Sequence, residues 1–311
     1  MLIYTDNLDY ANQIVKSTPD WQVNKRRSPV DKWDDMLVTR LLRPEKVVQY
    51  APIPFPNYTL VIVAEHAPRS QFELIHELIS EGQEMPDGLV CLAGYGEDFK
   101  GFHNRTWTAL PGNLHVTILF KPGQAINQAE SGMLALGPVS VVEAIGKVNT
   151  LAATVGIKWV NDVVIQGSKV AGILTRSQIT GNILAHIALG IGINIGKSPQ
   201  LPPDPFVPSV SHLNQFGDCS VSELFWHLLD SLAENYQLLV SGKGSLVVEK
   251  YIRYNVIAGR EVVIFSDFPG EPPRELRRGK VTGIGDQLEL YLDGTSEPLR
   301  RGRLAYAADV F

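Results

Sequence analysis

The chain has 311 residues, 44% of them hydrophobic and 20% charged, enough to bury a sizeable core in two domains or in one large and one small. A formal net charge of −5 removes the general reason to expect nucleic acid, which binds to basic faces, but leaves room for a small anion held by local cations. The opening "MLIYTDNLDY" shows no signal pattern, and the longest weakly polar stretch, "NILAHIALGIGINIG", is too short and too broken by His, Asn and Gly to span a bilayer.

Two cysteines, Cys91 in "GLVCLA" and Cys219 just before a predicted helix, lack CxxC spacing. We therefore expect no structural disulfide, a reducing compartment and, by default, the cytoplasm, with no nucleic-acid or membrane partner. The residues fix no oligomeric state, a homodimer included.

In chain order, residues 1–55 read as an N-terminal extension of unknown role. It holds a basic cluster, "NKRR" at 24–27, taken as a solvated face, and a helix-like "DKWDDMLVTRLL" at 31–42, without a helix-turn-helix. The proline-bearing "APIPFPNY" reads as a linker. "TLVIVAEH" is a strand, and "SQFELIHELISEG" a helix with Ser70 and Glu73 as a capping box and Phe72, Leu74, Ile75, Leu78 and Ile79 at helical spacing. "GLVCLAG" and "NLHVTILF" are strands, and "PVSVVEAIGKVNTLAATVG" predicts a helix of about four turns. "WVNDVVI", "KVAGILT" and "ILAHIALGIGINI" predict three strands, the first two joined by a "QGS" hairpin turn. After the proline-loaded loop "PQLPPDPFVPS", a helix capped by Ser220 and Glu223 runs through "SVSELFWHLLDSLAENYQLLVSG", and "SLVVEKYIRYN" continues the helical pattern. From Val256 onward short strands alternate with Gly- and Asp-rich turns, the texture of a small antiparallel barrel. The expected organisation is the extension 1–55, an α+β domain at 56–255 and an all-β domain at 256–311.

Several chemistries are excluded by absence. The seven histidines form no HExxH, and the chain has neither a GxSxG elbow nor a GxxxxGK[ST] loop. The glycines at 190, 192 and 196 miss the dinucleotide fingerprint by one residue. Three stretches remain. In "KWVND", Lys158 has the charge to neutralise a phosphate, Asp162 to hold a divalent cation, and Asn161 to ligate or orient either. In "KVAGIL", Ala171 and Gly172 leave backbone open to a ligand, and in "GIGIN" the Asn194 amide can read a purine edge. Each also has a plain reading: a solvated Lys158–Asp162 pair, a bulge at Gly172, a turn at Asn194.

The order "KWVND … KVAGIL … GIGIN" resembles the biotin protein ligases, whose pattern is KWPND, then K-x-[AG]-GI-L, then G-x-GIN. "RTWTALPGNLHVTI" is similar to the family's R-x-W followed by GNL and a strand, and the resemblance runs over roughly residues 60–311. It implies an α+β fold, a mixed, largely antiparallel sheet flanked by helices, with a small C-terminal SH3-like β-barrel. It also implies a two-step ligase reaction. Biotin and Mg-ATP give biotinyl-5′-AMP, and a lysine of a biotin carboxyl carrier domain in a biotin-dependent carboxylase then takes the biotin. Biotin is the substrate, ATP the co-substrate and Mg2+ the metal, for which Asp162 is the ligand.

By the same resemblance Lys158, Asp162 and Arg105 are catalytic, and Ser70 contacts the biotin ring from "RSQ", where the family has Ser-Thr-Asn. Substrate or nucleotide contacts fall also on Lys100, Gly101, Trp107 and Asn113, and, in the later stretches, on Asn161, Lys169, Ala171, Gly172 and Asn194. The family's GRGRxGRxW loop appears as "FKGFHNRTW": Lys100 and Arg105 keep charge, Phe102 replaces the second arginine, Asn104 a glycine, and the upstream glutamine falls on Gly96. Phe cannot supply a guanidinium fork. Two alternatives therefore stand beside the ligase: a lipoate or octanoate transferase on the same fold, and a non-catalytic relative that binds biotin or a nucleotide.

Overall fold

The computed structural model describes residues 1–15, 19–23, 34–43, 46–55, 57–148, 151, 153–202 and 204–310. The "NKRR" cluster and residues 31–33 of the helix-like stretch expected at 31–42 lie outside them. The elements run β1 (Leu2–Thr5), α1 (Leu8–Val15), β2 (Gln22–Val23), α2 (Asp34–Leu41), β3 (Gln49–Pro52), β4 (Leu60–Ala67), α3 (Gln71–Ser80), β5 (Leu89–Gly96), β6 (Leu114–Phe120) and α4 (Ala129–Gly146). There follow β7 (Val155–Lys158), β8 (Asp162–Ile165), β9 (Ser168–Thr180), β10 (Ile183–Ile193), α5 (Val221–Leu238) and α6 (Gly244–Tyr254). The C-terminal strands are β11 (Glu261–Phe265), β12 (Glu275–Ile284), β13 (Leu290–Leu292) and β14 (Arg303–Tyr306). Two compact units result. The first comprises Met1–Ala125, Leu174–Lys197 and Cys219–Trp226, and the second Ile126–Ile173, Ser198–Asp218 and His227–Phe311.

In the first unit the strand order is β2-β3-β1-β4-β5-β6-β10. The β1–β4 and β4–β5 pairs are parallel and the others antiparallel. The apolar runs of β5 and β6 explain their place inside the sheet: nearly every residue of both is buried, as a strand covered on two faces requires. Leu37 and Leu41 of α2 and Phe72, Ile75 and Leu78 of α3 pack with Ile62 and Leu89 of the sheet. Ser70 caps α3, its Oγ accepting from the Glu73 N–H at 3.5 Å. The segment read as an extension supplies β1 and β3 to this sheet, so Ala51 and Pro52 of the expected linker are strand residues.

In the second unit β7, β8 and the first half of β9 form an antiparallel meander. The "QGS" turn forms as expected, with Gln166 and Gly167 both at positive φ, the backbone of a tight hairpin turn. Two expectations need correction. "WVNDVVI" is not one strand, because Trp159 to Asn161 are a turn between β7 and β8. The helix expected over 138–156 is α4, which starts nine residues earlier and stops at Gly146. The glycines of its first half are sites of close packing. A Cβ on Gly132 would meet Leu239 at 2.6 Å, and one on Gly137 would meet Ile173 at 2.6 Å.

The C-terminal strands form a separate antiparallel sheet in the order β13-β12-β11-β14, the SH3-like element expected. Its core, with Val262, Ile264, Val281, Leu290 and Leu304, also takes in Trp159 from the β7–β8 turn. Cys91 and Cys219 are both buried. Among the described residues no helix is long and apolar enough to cross a membrane.

Candidate active site

In the second unit, Lys158 ends β7 and Asp162 begins β8, and the two are directly paired across the hairpin. The turn between them carries a cis peptide at Trp159–Val160. It is fastened on both sides: Trp159 Nε1 donates to Leu288 O at 2.7 Å, and the Tyr251 hydroxyl to Val160 O at 2.8 Å. Asn161 joins the meander, its Nδ2 donating to Ile173 O at 2.7 Å. Lys158 is only 5% exposed. Its Nζ donates to Phe206 O at 2.6 Å and lies 5.2 Å from the Tyr306 ring centroid. Burial pushes this ammonium below the usual lysine range, against the pull of Asp162.

The plain alternative, a solvated Lys158–Asp162 pair, is not what forms. Asp162 is ion-paired with Lys169, Oδ1 to Nζ 2.6 Å, while Lys158 faces the Phe206 carbonyl. Ala171 and Gly172 sit opposite Val163 and Asp162 in the meander, so the expected gap in side chains adjoins the Asp162 carboxylate. Among the described residues no three His, Cys, Asp or Glu side chains cluster as a metal cage.

In the first unit, Arg69, Ser70, Glu73, Asp98 and Lys100 line an open cleft of about 320 Å³. Ser70 and Lys100, expected to act on the same ligand, are thereby brought together. Arg69, Glu73 and Asp98 were not singled out as site residues; Arg69 stood in the "RSQ" stretch as a signal. Arg69 is ion-paired with Glu77.

From Lys100 to Thr106 the chain forms a tight hairpin, Gly101 N–H donating to Arg105 O at 2.6 Å and Trp107 N–H to Phe99 O at 2.9 Å. His103 and Asn104 have φ of 53° and 59°, so Asn104 stands in for the family's glycine at a backbone position that asparagine tolerates. The Arg105 guanidinium lies 5.7 Å from the Phe102 ring centroid. Phe102 thus supplies a face where the family has a second cation. Gly96, on which the family's glutamine falls, has no room for a side chain: a Cβ there would lie 2.3 Å from Ala67 O and 2.5 Å from the Phe99 ring.

Trp107 accounts for a glycine of "GIGIN". A Cβ on Gly192 would come within 2.3 Å of its indole, so that glycine makes room for a protein ring. Asn194 is buried, and Asn113 is clamped to it: Asn113 Nδ2 donates to Asn194 Oδ1 at 3.3 Å and to Lys197 O at 2.9 Å. The Asn113 oxygen accepts from the N–H groups of Ile195, Gly196 and Lys197 at 2.9, 3.1 and 3.2 Å. Its amide is spent on holding residues 194–197, which makes it a residue that shapes the turn.

Trp107 Nε1 donates to His115 Nδ1 at 3.2 Å, and His115 Nε2 lies 3.4 Å from Leu110 O. Only the neutral Nε2–H ring satisfies both. Burial brings the His115 pKa down to about 4 from 6.5, partly opposed by the Leu110 carbonyl. The unfolded chain therefore binds more protons between these values, so the stability His115 contributes is intact above pH 6.5 and is lost as pH falls towards 4. Between pH 7 and 5 we expect wild type to lose about 2 kcal/mol more than His115→Gln in urea unfolding. Equal losses in the two proteins would refute this protonation state.

The fold is that of a biotin protein ligase. The structure of the Aquifex aeolicus enzyme in complex with biotin and ATP matches with a TM-score of 0.60 at 20% identity, over 79% of this chain and 97% of that one. Residues 76–194 match the biotin/lipoate A/B protein ligase family. The chain is 36% identical over 101 residues to the biotin–[acetyl-CoA-carboxylase] ligase of Paracoccus denitrificans, 32% of this chain and 41% of that protein. It is 28% identical over 141 residues to the bifunctional ligase/repressor BirA of Bacillus subtilis (strain 168), 45% of this chain and 42% of that protein. It thus spans about two-fifths of the length of these curated relatives.

Proposed function

We propose that the chain is an ATP-dependent biotin protein ligase, forming biotinyl-5′-AMP from biotin and Mg-ATP and passing the biotin to a lysine of a carboxylase carrier domain in the cytoplasm. The observation that carries this reading is the buried Lys158 ammonium at the end of β7, whose residue faces Asp162 in the strand register of the β7–β8 hairpin. A desolvated, positioned cation of this kind stabilises the charge that builds on carboxylate and α-phosphate oxygens as the adenylate forms. Magnesium is proposed to arrive on the nucleotide, since it needs only one or two protein carboxylates besides phosphate oxygens and water. Asp162, already balanced by Lys169, is its carboxylate. Ser70 is assigned to the acid's ring, and Lys100 and Arg105 to the phosphate.

Labelled pyrophosphate exchange into ATP, run with biotin, lipoate and octanoate in parallel, tests the reading. Exchange with biotin alone supports it, and exchange with lipoate or octanoate moves the chain to the sister activity. The Arg105–Phe102 contact favours one second reading, a relative that binds biotin or a nucleotide without turnover; biotin binding with no exchange for any acid would establish it. Because Phe102 is 44% exposed and stands where the family has an arginine, Phe102→Arg is expected to slow biotinyl-AMP release about tenfold by adding a fork to the phosphate. An unchanged release rate would show that the hairpin does not cover the adenylate.

A further inference from the structure

Lys158 is held by a segment that no motif announced. Residues 204–207 form a compact turn, in which Phe206 N–H donates to Asp204 Oδ1 at 2.8 Å and Val207 N–H to Asp204 O at 3.0 Å. Its C-terminal end is fastened to β9. Lys169 N–H donates to Ser209 O and Ser211 N–H to Lys169 O, both at 2.9 Å, and the Ser168 and Ser209 hydroxyls lie 2.8 Å apart. Its N-terminal end is fastened by Arg303 of β14, whose guanidinium sits 3.6 Å from the Phe206 ring centroid and 3.4 Å from Asp204 Oδ2. The other flank of the Phe206 ring meets Phe265 of β11 edge-on, 5.3 Å between centroids.

We propose that residues 204–206 are a strap that aims the Lys158 ammonium through the Phe206 carbonyl, and that Arg303 is the positioning residue that keeps the strap in place. A buried ammonium without acceptors is costly, and a lysine side chain has four rotatable bonds along which to wander. One carbonyl at 2.6 Å satisfies one of the three N–H donors and fixes the direction of the others, which stay available to an incoming anion. Because that acceptor is neutral, it does not cancel the charge that the anion needs. Asp204 serves twice, capping the turn from within and meeting Arg303 from outside, so losing the guanidinium loosens both ring and turn.

This rests on the proposed ligase reading for its catalytic consequence, but not for its geometry, and the test separates the two. In the full-length chain, Arg303→Ala and Phe206→Leu are compared with wild type; the second keeps the main-chain carbonyl and removes the stacked ring. Acetic anhydride labelling, read lysine by lysine by mass spectrometry, is expected to modify Lys158 about tenfold faster in both variants, with the other lysines unchanged. In biotin-dependent pyrophosphate exchange, kcat is expected to fall about 10- to 100-fold while KM for Mg-ATP moves less than about threefold, and Arg303→Lys to recover most of the rate. Unchanged Lys158 labelling, or faster labelling of all lysines together, overturns the strap. A kcat that survives in Arg303→Ala overturns its part in the reaction. Wild type without exchange for any acid overturns the ligase reading, and the labelling then still decides whether the strap exists.

Discussion

Replacing Lys158 by alanine is expected to lower biotin-dependent pyrophosphate exchange by about a thousandfold while the protein still melts cooperatively within a few degrees of wild type. The two halves of that expectation have separate causes. Lys158 is the buried cation on the hairpin, and a pre-aimed charge in a poorly solvated site is worth far more to a transition state than the same charge in water. Stability suffers less. The variant loses one hydrogen bond to Phe206 O, a net cost of about 1 kcal/mol, up to about 3 with that carbonyl left unpaired, offset by relief from burying an ammonium. Full exchange activity in Lys158→Ala would sink the mechanism; loss of folding would mean that the lysine is chiefly structural.

Asn113→Ala is expected to show the opposite pattern, a large loss of stability. One buried carbonyl oxygen serves the N–H groups of Ile195, Gly196 and Lys197. Alanine would strand these donors beneath a turn and remove the link to Asn194 and to Lys197 O. With about 1–3 kcal/mol at stake per buried group left unsatisfied, and water reaching some of them, we expect a net loss of about 3–5 kcal/mol, read by urea unfolding. Aspartate at this position keeps the acceptor and should recover part of it. A loss below about 1 kcal/mol in Asn113→Ala would show that residues 194–197 hold their shape without the clamp.

Much of this was legible in the sequence because it is written in local terms. Ser70 sits directly before the apolar spacing of α3, the "QGS" turn joins two β-rich runs, and the C-terminal strands alternate with turn residues at short intervals. Position in chain and position in space agree there. What was not legible depends on partners distant in sequence. Nothing local explains Gly192, whose missing side chain makes room for the Trp107 indole. Gly132 and Gly137 look like breaks in a helix until their neighbours are seen. The plain reading of a Lys158–Asp162 pair fails because Lys169 and the Phe206 carbonyl, from β9 and from a proline-rich loop, decide which cation meets which oxygen. The β1 and β3 segments were hidden for the same reason, since four-residue strands carry little periodic signal until a sheet claims them.

Trp159 lies next to Lys158 in the chain, yet its indole is counted among the apolar residues of the C-terminal sheet. The small sheet and Lys158 are consequently tied by a single peptide unit, as a key is tied to its bow. Substitutions at Val262, Val281 or Leu304, which pack in one cluster with Trp159, are expected to register first as a change in where the Lys158 ammonium points. On the proposed ligase reading, selection on the chemistry reaches into the packing of residues 256–310, and a part that composition sets off as an appendage inherits the constraints of the β7–β8 hairpin.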